Sequence, residues 1–156
     1  MRTLLKKLES DFGQAVTIKK FGRSDQFVVE IEAEKLVEIA TWLRMQEAFR
    51  MDFLENLSLF ESKGKTVFSY FLRSGSQGLQ LVLRTSLATP NGGARLEIPS
   101  ILGVWSHAES FESEAEKMFG VHFSGENRAS SVRKNFGLGD EYPLRKSFEW
   151  GDRVEL

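Results

Sequence analysis

The sequence predicts an α+β fold: a two-layer domain in the order helix-β-β-helix-β-β-β-helix, followed by an extended irregular C-terminal tail. Three observations predict it. Apolar residues recur at helical spacing in three separated segments. The strand-like runs come in groups of two and three, not singly between helices, which favours antiparallel pairing over βαβ units. After Gly120 both periods fade, although aromatic residues continue. The 156 residues therefore divide into an α+β domain over 1–120 and an extended tail over 121–156.

The first element is the amphipathic helix in "MRTLLKKLESDFG", with Leu4, Leu5 and Leu8 on one side and Gly13 as its stop. "AVTIKKFG" and "DQFVVEIEA" are rich in β-branched and aromatic residues, and "GRSD" between them supplies turn chemistry, which predicts a hairpin. "AEKLVEIATWLRMQEAF" is the clearest helix, with Leu36, Ile39, Ala40 and Leu43 on one face and no internal Gly or Pro. "DFLENLSLFE", "KTVFSYFL" and "LQLVLRTS" follow, joined by "SKGK" and "RSGSQG". Strands with connections this short predict an antiparallel meander. "ATPNGGARLEIPS" has two of the three prolines and an Asn-Gly-Gly turn signal, and is expected to be a loop. "ILGVWSHAESFESEAEKMF" is expected to be the last main helix, with Trp105, Ala108, Phe111, Ala115 and Met118 at helical spacing and Gly120 as C-cap.

Composition narrows the chemistry. A hydrophobic share of 41% and a charged share of 28% are those of an ordinary globular domain. The formal net charge of −1 gives no global attraction to nucleic acid or an anionic membrane. The absence of cysteine excludes disulfides, thiolate metal sites and cysteine nucleophiles on this chain. The N-terminus lacks the apolar run of a signal peptide, and no window reaches the roughly 18 apolar residues of a membrane span. Membrane association is therefore expected only through partners.

Catalytic motifs are weak throughout. His107 and His122 lie at opposite ends of the expected last helix, with no HExxH or paired-His spacing, and are expected to be surface or ordinarily hydrogen-bonded. Glu109, Glu112 and Glu116 share one helix face, with Glu114 pointing elsewhere. A carboxylate pair or a docking face for a basic partner is one reading; a solvated acidic face is the favoured one. No GxSxG, SxxK or phosphate-loop pattern occurs. "FSYF" has the aromatic look of an RNA-binding strand, but alternation puts Phe68, Tyr70 and Leu72 on one face with few basic residues nearby, so packing on helices is expected. The expectation is a protein that binds, with no catalytic, cofactor-binding or metal-binding residue.

"FESEAEKMFGVHFSG" followed by "YPLRKSF" resembles the C subunit family of the proton-pumping NADH–quinone oxidoreductase, respiratory complex I. The family pattern has two acids around an Arg, then an acid, a hydrophobic residue and Phe-Gly-Ile, then Phe-x-Gly-His-Pro, and closes on Pro-Leu-Arg-Lys-Asp-Phe. Glu112 and Glu114 match the two acids; Met118, Phe119, Gly120 and Val121 match the next block; Phe123 and Gly125 the third; Pro143, Leu144, Arg145, Lys146 and Phe148 the close. Upstream, "LRMQEAFRMDFLENLSLFES" and "GARLEIPSILGVWSHAESFE" resemble the family's lead-in, so the likeness covers about residues 35–150. Ser113 stands in place of the arginine and Lys117 in place of an acid. "ENRASSVRKNF" replaces His-Pro-Asp-Leu-Arg-Arg, with Val132-Arg133-Lys134 as a displaced substitute. The chain is thus identified as a divergent member.

The resemblance implies a non-catalytic structural and assembly subunit of the peripheral arm, on the cytoplasmic side of the inner membrane. It implies docking on the hydrogenase-like large subunit (the D subunit), beside the B and I subunits. FMN, iron–sulfur clusters, NADH and quinone belong to the complex, with no cofactor on this chain. The tail is then expected to wrap the partner. Phe119, Phe123, Phe136, Tyr142, Phe148 and Trp150 would be its aromatic anchors, and Arg133, Lys134, Arg145 and Lys146 would pair with partner carboxylates. Glu112, Glu114, Gly120, Pro143 and Leu144 complete the set of interface residues. Within that set Phe119 and Gly120 are expected to pack mostly within the chain, and Tyr142 to Trp150 mostly against the partner. Two alternatives stand beside this reading: the equivalent subunit of a membrane-bound [NiFe]-hydrogenase or formate hydrogenlyase complex, and a free-standing α+β binding module for RNA.

Overall fold

The computed structural model describes residues 1–20, 26–90, 95–125 and 142–147. Helix α1 (Arg2–Phe12) leads through a short 3-10 turn into strand β1 (Val16–Lys20), then β2 (Phe27–Ile31) and helix α2 (Leu36–Met45). Strands β3 (Phe53–Ser62), β4 (Lys65–Arg73) and β5 (Gln80–Ala88) follow. Strand β6 (Leu96–Pro99), helix α3 (Ala108–Phe119) and strand β7 (Val121–Ser124) complete the described elements.

Five strands form one sheet in the order β1-β2-β5-β4-β3. The hairpin of β1 with β2 and the meander β3-β4-β5 are antiparallel, as the turn signals predict. The two blocks join by a parallel pairing of β2 with β5, in which Val29 faces Leu83. The turn sequences "GRSD" and "NGG" lie outside the described residues, apart from the edges of their flanking strands. The β3–β4 turn is a two-residue connection between the paired Ser62 and Lys65. Lys63 and Gly64 both have positive φ, 50° and 72°, the combination whose twist matches that of the flanking strands.

Alternation sorts the sheet into an inner and an outer face. Phe68, Tyr70 and Leu72 of β4 point inward with Leu81 and Leu83 of β5 and Val29 of β2, all fully or nearly fully buried. They meet Leu4, Leu5 and Leu8 of α1 and Leu36, Ile39, Ala40 and Leu43 of α2 in one continuous core. Each helix thus buries the stripe its sequence spacing marks. The two helices also meet each other, with Phe12 edge-on to Trp42 at 5.7 Å between centroids and Trp42 Nε1 donating to Asp11 at 3.0 Å.

Four details differ from the sequence expectations. Helix α2 is shorter than 33–49: it begins after a 3-10 turn at Ala33–Lys35 and ends at Met45. "LEIP", expected within a loop, is β6, and it pairs in parallel with β7 as a separate two-stranded sheet. Residues 121–124, assigned to the tail, therefore belong to the folded domain, with Phe123 edge-on to Phe68 at 6.4 Å in the core. Finally, α3 starts at Ala108, not Ile101. Residues 101–107 are turns, closed by Val104 and Trp105 amides donating to the Ile101 carbonyl at 2.9 Å each. Trp105 is buried there, with its indole donating to the Met51 carbonyl at 3.0 Å.

Candidate partner-docking site

Two carboxylates on α3 organise this corner of the molecule. Glu112 is fully buried and Glu116 is 5% exposed, so the expectation of a solvated acidic face is corrected for both. Burying a carboxylate is costly unless donors surround it, and the chain supplies them from the segments that flank the helix. Glu112 accepts from the Ser100 hydroxyl at 2.6 Å and from the Ile101 amide at 2.8 Å. Ser100 Oγ in turn accepts from the Leu102 amide at 3.1 Å. Glu116 accepts from the Phe123 amide at 3.3 Å. The Ser100 amide closes the corner by donating to the Ser124 carbonyl at 2.7 Å. One helix face thus holds the exit of β6 and the body of β7 together. Glu109 and Glu114 are exposed, as is Lys117.

His107 lies at the start of α3 with Nε2 3.2 and 3.1 Å from the amide and carbonyl of Leu54. His122 is on the surface, 3.8 Å from Glu116. Among the described residues, no three His, Asp or Glu side chains are grouped to hold a metal ion. No helix among them is long and apolar enough to cross a membrane.

Helix α3 ends at Gly120, whose amide donates to the Glu116 carbonyl at 3.0 Å with φ 65°. The Tyr142 ring rests on this glycine where a Cβ would be. The position thus needs glycine twice, for left-handed backbone and for the ring's approach. Residues 142–147 pass over the helix end. The Leu144 amide donates to the Met118 carbonyl at 3.1 Å, and Arg145 Nε donates to the Phe119 carbonyl at 2.6 Å. The Arg145 guanidinium also lies 4.8 Å from the Tyr142 ring centroid. The last carbonyls of a helix lack intrahelical donors and carry partial negative charge, so an arginine satisfies both needs. The Lys146 amide donates to the Glu61 carboxylate at 3.1 Å, tying the segment to β3.

This placement separates the sequence-predicted interface residues. Phe119 is half-buried and Gly120 buried against their own domain. Phe123, at 1% exposure, is a core residue and cannot anchor in a partner. Tyr142 is buried on Gly120, and Arg145 is engaged by helix carbonyls rather than left to a partner's carboxylate. Glu112 is internal. Glu114, Leu144 (55% exposed) and Lys146 face outward, with Pro143 partly so. Arg133, Lys134, Phe136, Phe148 and Trp150 lie outside the described residues. Sequence reasoning missed the roles of Ser100 and of the Tyr70 hydroxyl. The Tyr70 hydroxyl is buried without a hydrogen-bond partner among the described residues, and burial, aided by the charge of Glu112, raises its pKa well above the ordinary tyrosine value. The Pro-Ser step before an acidic helix was the available signal for Ser100; none marked the Tyr70 hydroxyl.

Known proteins resemble this chain in sequence and in fold. The chain is 29% identical over 126 residues to the NADH-quinone oxidoreductase C subunit of a Roseiflexus species, covering 79% of this chain and 70% of that protein. It is 28% identical over 157 residues to the NADH-quinone oxidoreductase C/D subunit of Chromohalobacter salexigens, covering 93% of this chain but 25% of that longer protein. A chain in the structure of the membrane-bound sulfane sulfur reductase, an archaeal respiratory membrane complex, shares the fold at a TM-score of 0.74 and 20% identity. That likeness covers 96% of this chain and 85% of the other. A family profile matches residues 29–154, from the second strand through the docked segment and beyond. The chain belongs to the family of the respiratory-chain NADH dehydrogenase 30 kDa subunit.

Proposed function

We propose that this protein is a non-catalytic structural and assembly subunit in the peripheral arm of a quinone-reducing respiratory complex, docked on the hydrogenase-like large subunit. One observation carries the reading: a relative named as a C/D subunit of NADH-quinone oxidoreductase contains a region similar to 93% of this chain, and that region is 25% of its length. A fused relative is what two subunits that must sit side by side would tolerate. Electron transfer from NADH through FMN and iron–sulfur clusters to quinone belongs to the assembly. This chain carries no cofactor in that reading; it holds the large subunit against its B and I neighbours and reaches the membrane only through them.

The geometry supports a binding role over chemistry. The buried carboxylates Glu112 and Glu116 spend their lone pairs on backbone and hydroxyl donors of the fold. Outward-facing Leu144 and Lys146 sit on a segment held by Tyr142 on Gly120, by Arg145 on the end of α3 and by the Lys146 amide on Glu61 of β3. Such pre-ordering lowers the entropic cost of association.

The experiment is an affinity purification of the tagged protein from gently solubilised native membranes, with partners identified by mass spectrometry. Recovery of the hydrogenase-like large subunit with the flavoprotein subunits is the expected result. Recovery of neither would end this reading. Truncation after Ser124 then asks whether the C-terminal part holds the partner; undiminished retention of the truncated chain would show that it does not.

A further inference from the structure

Strand β3 forms one edge of the five-stranded sheet, and among the described residues its ends are closed while its middle is open. At the Leu54 end the outward amide and carbonyl meet His107. At the Glu61 end the side chain accepts from the Lys146 amide. Between them lie residues 55–60, about 20 Å of extended backbone at roughly 3.3 Å per residue. Along this stretch no backbone group on the outer edge has a partner among the described residues. Beside it α3 leaves a cavity of about 220 Å³. Its apolar wall includes Leu57, Leu59, Phe111, Met118 and Leu144, and its one charged lining residue is Glu114.

Exposed edges in soluble proteins are blunted by charged residues, proline, bulges, a very short strand or a covering helix or loop; here α3 packs against β3 but leaves the cavity along residues 56–59. This one is ten residues long, "FLENLSLFES", with neither Lys nor Pro. Of its two acids, Glu55 is paired with Arg73 and Glu61 with the Lys146 amide. Its bulge lies at the already closed end, between Leu54 and Asn56.

We propose that the open edge receives an extended segment of a partner protein as a sixth strand. Main-chain bonds to residues 55–60 would hold it, an apolar side chain would enter the cavity, and a Lys or Arg would meet Glu114. Strand addition of this kind draws affinity from the backbone and specificity from alternate side chains. The acid without a cation in the lining fixes the charge of the occupant. Of the chain's own remaining residues, 148–156 carry Glu149, Asp152 and Glu155 against a single Arg153 and match that charge poorly; 126–141 carry Arg128, Arg133 and Lys134, and their capture at the edge is an outcome that the test separates. The proposal rests on the reading that this protein works within a larger assembly.

Two arms test it. In the native complex, a photoreactive benzoylphenylalanine replacing Asn56 is expected to crosslink to a Lys- or Arg-containing extended segment of another subunit. Glu114→Lys is expected to cut that yield at least fivefold. An intact complex with no crosslink, or with crosslinks only to residues 126–141 or 148–156 of this chain or to a second copy of it, overturns the proposal. In the isolated protein, an alternating Lys-Val hexapeptide is expected to slow hydrogen exchange of amides in residues 55–60, and a Glu-Val hexapeptide is not. Equal protection by both, or by neither, also overturns it. This second arm decides the groove even if purification fails to recover the large subunit, so the two readings fall separately.

Discussion

The half of the molecule around α1 and α2 and the corner around α3 are held together differently. In the first, two helices lay leucine stripes on the inner face of the sheet, and the core contacts are overwhelmingly apolar. In the second, α3 carries two buried carboxylates, and the segments on either side bend to reach them. Apolar packing is undirected and tolerates exchange among similar shapes. A buried carboxylate is directional, and its donors are left stranded if it goes. The first half supplies bulk stability. The second fixes where one particular stretch of chain, residues 142–147, comes to lie.

The largest effect expected is in the apolar half. Leu43→Ala, at a fully buried position, should cost about 3–4 kcal/mol, whereas Leu43→Met should cost under about 1.5 kcal/mol. Urea unfolding of both variants reads the difference. In the α3 corner the same tolerance should fail. Glu112→Leu keeps an apolar side chain of similar reach but leaves the Ile101 amide and Ser100 hydroxyl without their acceptor, at a cost of about 2–3 kcal/mol. If Glu112→Leu unfolded at the wild-type urea midpoint, the distinction between the two regions would collapse.

A smaller effect sharpens the contrast. Gly120→Ala strains the left-handed residue and displaces the Tyr142 ring, for about 1–2 kcal/mol. The loss should be local. Hydrogen exchange at the Leu144 and Arg145 amides should speed up while amides of β4 and β5 stay protected. Uniform acceleration across the sheet would show that the corner and the core open together.

The smallest change concerns Tyr70, where the two regions touch. Burial raises its pKa, so the folded state favours the neutral phenol. That contribution is fully present below the unfolded tyrosine value of about 10 and is lost as pH rises from there through the folded value. Tyr70→Phe removes a hydroxyl with no partner among the described residues and should leave stability at pH 7 unchanged or higher by up to about 1 kcal/mol. It should also flatten the alkaline decline. Urea midpoints at pH 7 and above pH 10 measure both.

Much of this architecture was legible because it is local. The β3–β4 and β4–β5 connections are short, and alternation in "KTVFSYFLR" marks Phe68, Tyr70 and Leu72 as inward-facing. What was not legible depends on distant partners. "LEIP" has four residues and a terminal proline, and becomes a strand only because Val121–Ser124 arrives beside it. Trp105 keeps a helical interval from Ala108 while standing in a turn, because its indole is fixed by Met51, 54 residues earlier in the chain. Glu112 and Glu116 share the spacing of a wet face, and nothing local reveals that Ile101 and Phe123 donate to them. The family motif drew attention to the residues around Gly120, but not to Arg145 serving its own helix. An arginine that caps a helix and one that pairs with a partner have the same sequence.

The parallel pairing of β2 with β5 has a consequence for how the chain is made. The hairpin of β1 and β2 leaves the ribosome first, yet its other neighbour in the sheet ends at residue 88. Until then the hairpin is a two-stranded ribbon, too small to be stable alone. The meander β3-β4-β5 can close on itself by short connections as it emerges. The strand that joins both blocks is thus the last of the five to be synthesised. Residues through β5 must be translated before the early hairpin has a strand to join, and during that interval its unpaired edge is in the keeping of whatever binds nascent chains.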